Sequence, residues 1–131
     1  MFRKPEVFTI EGSTGGAFGP ADAAARAVAF LRSPAGANQW MNLSARDLRG
    51  VSAELQFTAD SLNTLLVDGP IDDVLRGQGL ATLAERVRRE EEGLWRVESL
   101  SAEEFGEAIV AVLRGQFALS DPMNLTLRSE S

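Results

Sequence analysis

A chain of 131 residues with 44% apolar and 24% charged side chains sits near the globular average, which predicts one domain over 1–131 and excludes a disordered chain. Cysteine, histidine and tyrosine are all absent, so disulfides, thiolate and imidazole chemistry and thiolate metal sites are excluded, and carboxylates, hydroxyls and arginines remain. The net charge of −6 argues against a nucleic-acid surface, which needs clustered cations to release counterions.

The charge is lopsided. Residues 1–65 carry six basic and six acidic side chains, whereas 66–131 carry seven basic against thirteen acidic, so the surplus lies in the second half and steers a basic partner there. The only lysine, Lys4, stands near the N-terminus, where an amine nucleophile held in a formed pocket is not expected. No run of about 18 apolar residues is available to span a bilayer, and no leader with a small-residue cleavage site opens the chain. The expectation is a cytoplasmic protein with no membrane partner, with flexible ends at 1–5 and 129–131.

In chain order, Glu6 to Ile10 is β-branched and aromatic and predicts a strand ended by the loop Gly12-Ser13-Thr14-Gly15-Gly16. Pro20 suits a first helical position, and Ala24, Ala27, Val28 and Leu31 share one face of a helix from Ala21 to Arg32. Strands follow at Gln39 to Leu43 and at Ala53 to Thr58, where Leu55 and Phe57 alternate with Glu54, Gln56 and Thr58. Ala59-Asp60-Ser61 can turn a hairpin into a further strand from Leu62 to Val67, whose unbroken Leu65-Leu66-Val67 reads as an inner strand. Pro70 opens a short turn. Leu80, Leu83, Ala84 and Val87 then recur at helical spacing and predict a helix to about Glu92, closed by Gly93 and followed by a strand from Leu94 to Ser99.

Ser101 with Glu104 forms a capping box, ahead of the apolar stripe Phe105, Ala108, Ile109, Val112 and Leu113, with Gly115 placed to end the helix. Met123, Leu125 and Leu127 alternate with Asn124, Thr126 and Arg128 in a last strand before a polar tail. The order β-α-β-β-β-α-β-α-β predicts an α+β or α/β layered domain, with three helices covering a mixed sheet of about five or six strands.

Three constellations are candidates for function. Arg76, Gly79 and Ala81, with Gly77, spell R-G-x-G-x-A, which resembles the acyl-CoA pyrophosphate loop of the GNAT acetyltransferases over a region from Leu62 to about Phe117. That resemblance implies a pyrophosphate bound by loop amides and the following helix N-terminus. The same residues fit a capped break between two helical segments, and this is the arrangement expected; from the residues themselves no cofactor is expected.

The glycine-rich loop Gly12 to Gly19 is a second anion candidate, with a flexible connection as the expected reading. Asp68, Asp72 and Asp73, and then Glu90, Glu91 and Glu92, form two acidic clusters without the spacing of a calcium loop. They are read as a recognition surface for a basic protein partner, with no metal expected. Trp40 and Trp95 are both expected in the core.

With no catalytic residue assigned, these observations imply a non-enzymatic protein-binding module. A bacterial immunity or antitoxin-like role fits its size and acidity. The alternatives are a GNAT-like acetyltransferase, or a homodimer whose strand Met123 to Arg128 pairs as a sheet edge across a two-fold axis.

Overall fold

The structure, a computed structural model, describes residues 6–63 and 69–131. Strict alternation sets the sheet. In β2 (Trp40–Asp47), β3 (Ser52–Phe57) and β7 (Met123–Glu130) every second side chain is buried, and those positions hold Met41, Leu43, Ala45, Ala53, Leu55, Phe57, Met123, Leu125 and Leu127. With β1 (Thr9–Ser13), β4 (Ser61–Asn63), β5 (Arg88–Glu91) and β6 (Leu94–Arg96), they form one seven-stranded sheet in the order β1-β7-β2-β3-β4-β6-β5.

Every neighbouring pair is antiparallel, so the expected mixed sheet is corrected. No parallel crossover is needed, because hairpins join β2 to β3, β3 to β4 and β5 to β6. β7 lies between β1 and β2, so Met123 to Arg128 is an interior strand and not an edge. It runs on through Glu130, and Ser129, read from sequence as tail, is buried and exchanges hydrogen bonds with the Phe8 backbone.

Four helices occur among the described residues: α1 (Pro20–Leu31), α2 (Ile71–Gly77), α3 (Ala81–Ala84) and α4 (Ala102–Gly115), with a 3-10 turn at Pro34–Gly36. Their buried side chains join the inward sheet residues in one apolar cluster, so the helices cover a single face of the sheet. α1 and α4 form the main helical contact, and they approach closely because small residues line the crossing. A Cβ on Gly106 of α4 would lie 2.5 Å from the Ala21 carbonyl oxygen of α1. α4 starts where the capping box predicts it: the Glu104 amide donates to Ser101 Oγ, and the Ser101 amide to Glu104 Oε1. Arg86 anchors the same carboxylate at 2.6 Å, and its guanidinium bond leads the contacts that hold Glu104 down at about 2.

The expected helix from Leu80 to Glu92 is the largest correction. α3 stops after four residues, and Arg88 to Glu91 instead forms β5, turned back by Gly93 at a φ of 77° onto β6. Tertiary packing overrides the helical spacing here: as part of a hairpin the segment buries Val87, Trp95 and Val97 together, while Arg88 pairs with Glu98 and Arg96 with Glu90 across the hairpin, and Arg96 also with Glu98 along its own segment. Of the predicted strand Leu62 to Val67, Leu62 and Asn63 belong to β4, and Leu65, Leu66 and Val67 lie outside the described residues.

Asp47 ties the far end of the sheet together. Its buried carboxylate accepts hydrogen bonds from the amides of Arg49, Val51 and Ser120 and from the Arg49 guanidinium at 2.9 Å, joining the β2–β3 turn to the segment that enters β7. Burial pushes this carboxyl up, but the Arg49 bond and the three amides outweigh it and hold it at about 2, below the ordinary 3.8. Because the folded value is the lower one, Asp47 contributes stability above 3.8 that disappears as pH falls through about 2. Asp47→Asn is therefore expected to lower the urea midpoint at neutral pH and to flatten the acid limb of the stability curve. Parallel curves for the two proteins below about pH 4 would contradict this.

Candidate functional site

The residues of the R-G-x-G-x-A stretch close one helix and open another. α2 ends at Gly77, and the Leu80 amide donates to the Leu75 carbonyl at 2.8 Å while Gly79, at a φ of 81°, reverses the chain. Arg76 is engaged by its own helix, donating to Asp72 at 3.3 Å and Asp73 at 3.1 Å. Ala81 begins the four-residue α3, which takes the place of the long helix that the pyrophosphate-loop resemblance calls for.

The loop from Gly12 to Gly19 bonds partly to itself and partly to the segment that enters β7. Gly12 and Ser13 belong to β1, the Ser13 amide donates to the Phe18 carbonyl and the Gly16 amide to Ser13. Thr14 Oγ1 donates to Asp121 and accepts from the Met123 amide. Phe18 lies under the Arg26 guanidinium, 4.4 Å from its ring centroid.

The acidic candidates stand on separate elements. Asp72 and Asp73 occupy the first turn of α2, where the helix dipole favours them. Glu90 and Glu91 are on β5 and Glu92 in the following turn, so they do not oppose a helix C-terminus as the predicted helix implied. Asp68 lies outside the described residues. Among the described residues no cluster of three or more carboxylates is arranged to hold a metal ion, and no helix is long and apolar enough to cross a membrane.

What the fold does create is a broad sheet face that no helix covers among the described residues. Register carries one outward row across every strand: Thr9 opposes Arg128, Arg128 opposes Asn42, and Asn42 opposes Gln56. The row continues from Gln56 to Asn63, Leu94 and Glu91. The next row sets Glu11, Thr126, Ser44 and Glu54 side by side, and a third sets Asn124, Arg46 and Ser52. Gln56 donates to Asn42 Oδ1 at 2.8 Å, and these two amides line a shallow hollow of about 420 Å³ with Ser44, Glu54 and Asn63.

This face is polar and locally balanced. Arg128 lies one row from Glu11 and Arg46 one row from Glu54, and none of the four is in an ion pair among the described residues. Among its strand residues Trp40 supplies an aromatic side chain, opposing Glu130 and sharing the outward phase of Asn42, Ser44 and Arg46. Trp95 is buried, as expected, but Trp40 is only half-buried and does not join the apolar cluster. The signal for this was in the sequence, since the alternation that buries Met41, Leu43 and Ala45 turns Trp40 outward.

Comparison with protein-family models, curated proteins and solved structures returns no match for this chain.

Proposed function

We propose that the chain is a non-enzymatic protein-binding module and that the uncovered face of the sheet, with Trp40 as its aromatic anchor, is the contact surface. One observation carries this reading: seven strands present a continuous, largely polar face with a half-buried tryptophan, while every described helix packs on the other side. Amides and hydroxyls that both donate and accept, interspersed with charges of both signs, suit a wet, specific protein interface, and tryptophan is enriched among residues that dominate such interfaces. Away from this face, Arg76, Arg86, Arg96 and Arg114 are engaged by carboxylates of the fold itself.

The partner is a protein with a basic surface. Net charge of −6 raises its encounter rate at a distance, while the balanced face sets register on contact. An immunity or antitoxin-type role, in which a small acidic protein masks a basic one, accords with this division of labour. The test is capture from a native lysate by the immobilised chain in three forms: wild type, Trp40→Ser, and Asp72→Lys/Asp73→Lys. The expected result is one basic protein bound by wild type, bound about 10-fold or more weaker by Trp40→Ser, and bound by the α2 variant with a slower on-rate only. Binding unchanged by Trp40→Ser and abolished by the α2 variant would move the site to the acidic clusters.

A further inference from the structure

β5 closes one end of the sheet, with β6 on one side of its backbone and no strand on the other among the described residues. Its four residues, Arg88-Arg89-Glu90-Glu91, are all exposed. Charges on an edge strand ordinarily oppose pairing with another chain. This order is different, because read antiparallel it is its own complement: arginines meet glutamates at every position.

A local irregularity makes the match three-dimensional. Arg88 opposes Arg96 and Arg89 opposes Trp95, but Glu91 opposes Leu94, so Glu90 is a bulge. In a regular strand residues 88 and 91 point to opposite faces. The bulge restores the phase and sets Arg88 and Glu91 on the same, uncovered face as Leu94 and Arg96.

From this charge order we propose that a second copy of the chain docks here, the two β5 edges pairing antiparallel across a two-fold axis between Arg89 and Glu90. Arg88 then stands opposite Glu91 of the partner subunit, on the same face, and the symmetry repeats the pair. Backbone amides and carbonyls at the free edge supply the attraction, and the charges fix direction and register. Arg89 and Glu91 have no ion pair within the chain among the described residues, so both are available. The bonds from Arg88 to Glu98 and from Arg96 to Glu90 are exposed, at 3.2 and 3.7 Å, and can be shared at little cost. Pairing doubles the seven-stranded sheet and makes the uncovered faces of two copies continuous. A four-residue edge is a small interface, so the dimer is transient, and the concentrations to examine are about 0.1–1 mM.

Sedimentation equilibrium on the full chain tests this. Wild type is expected to rise towards twice the monomer mass over that range. Arg88→Glu and Glu91→Arg, each of which sets like charges opposite one another, are expected to remain monomeric when separate. An equimolar mixture of the two is expected to associate, because the heterodimer restores both pairs. Should Arg88→Glu fail to fold by circular dichroism, Arg89→Glu mixed with Glu90→Arg makes the same comparison through the neighbouring pair. A wild type that stays monomeric, or a mixture that does not associate, overturns the proposal. So does dimerisation unaffected by all four variants and abolished by Trp40→Ser, which would place the contact on the uncovered face.

Discussion

Phe105→Ala is expected to lower the unfolding free energy by about 3–5 kcal/mol, a large part of the roughly 5–15 kcal/mol that holds a domain of this size. Phe105 is fully buried at the first turn of α4, and its ring tilts against Phe57 of β3 at 5.4 Å, joining the helical layer to the middle of the sheet. The Arg32 guanidinium stands 6.0 Å from the same ring while donating to the Ala59 and Leu100 carbonyls, so it draws the end of α1 into the junction. Truncation leaves a void bordered by three elements that are each fixed elsewhere, and such a site cannot collapse to fill it. Urea unfolding should show a lower midpoint with an unchanged slope. A loss below about 1 kcal/mol would mean that this junction is not a keystone of the core.

Gly106→Val is expected to be nearly as damaging for the opposite reason. The new Cβ would meet the Ala21 carbonyl oxygen at 2.5 Å, the Ala25 amide nitrogen at 2.9 Å and Ala25 Cβ at 3.1 Å. Two of these are backbone atoms of α1 and cannot swing aside, so α1 and α4 must part, at about 1–3 kcal/mol or more. Alanine separates the causes. It favours a helix over glycine by roughly 1 kcal/mol, yet Gly106→Ala should still destabilise because its Cβ is already too close. Gly77, where an added Cβ meets nothing within 4 Å, is the control, and Gly77→Ala should be neutral or stabilising. If Gly106→Ala behaved like Gly77→Ala, the close crossing would not limit stability.

The parts of this fold legible in the sequence are those where local and global preferences agree. The capping box at Ser101 and Glu104 starts α4 where it was expected, and Pro20 starts α1, because an N-terminus is decided by bonds within one turn. The alternation in Ala53 to Thr58 and Met123 to Arg128 identified strands and their inward sides. Leu80, Leu83, Ala84 and Val87 misled because helical spacing over two turns also arises when a short helix runs into a strand that buries its last apolar residue. What decided that segment was a hairpin partner, Trp95, which no local pattern names.

Strand order was not legible either, since it depends on which distant rows match. The uncovered face became visible only when register set Asn42 beside Gln56 and Thr126 beside Ser44. The acidic residues counted along the second half were real, but their pairing was hidden: Asp72, Glu90, Glu98, Glu104 and Asp121 each meet an arginine.

The position of β7 bears on how the protein comes to be made. β1 is translated well before β7, its sheet neighbour, and Thr9 meets Arg128 only after the more than a hundred residues between them have been made. Until then β2 also lacks one of its two neighbours, and the nascent chain holds two open strand edges together with the apolar faces of α1 and α4. Closure of the sheet is thus deferred until Met123 to Glu130 has left the exit tunnel. A premature stop anywhere before Met123 would leave an aggregation-prone fragment in place of a smaller, weaker version of the protein.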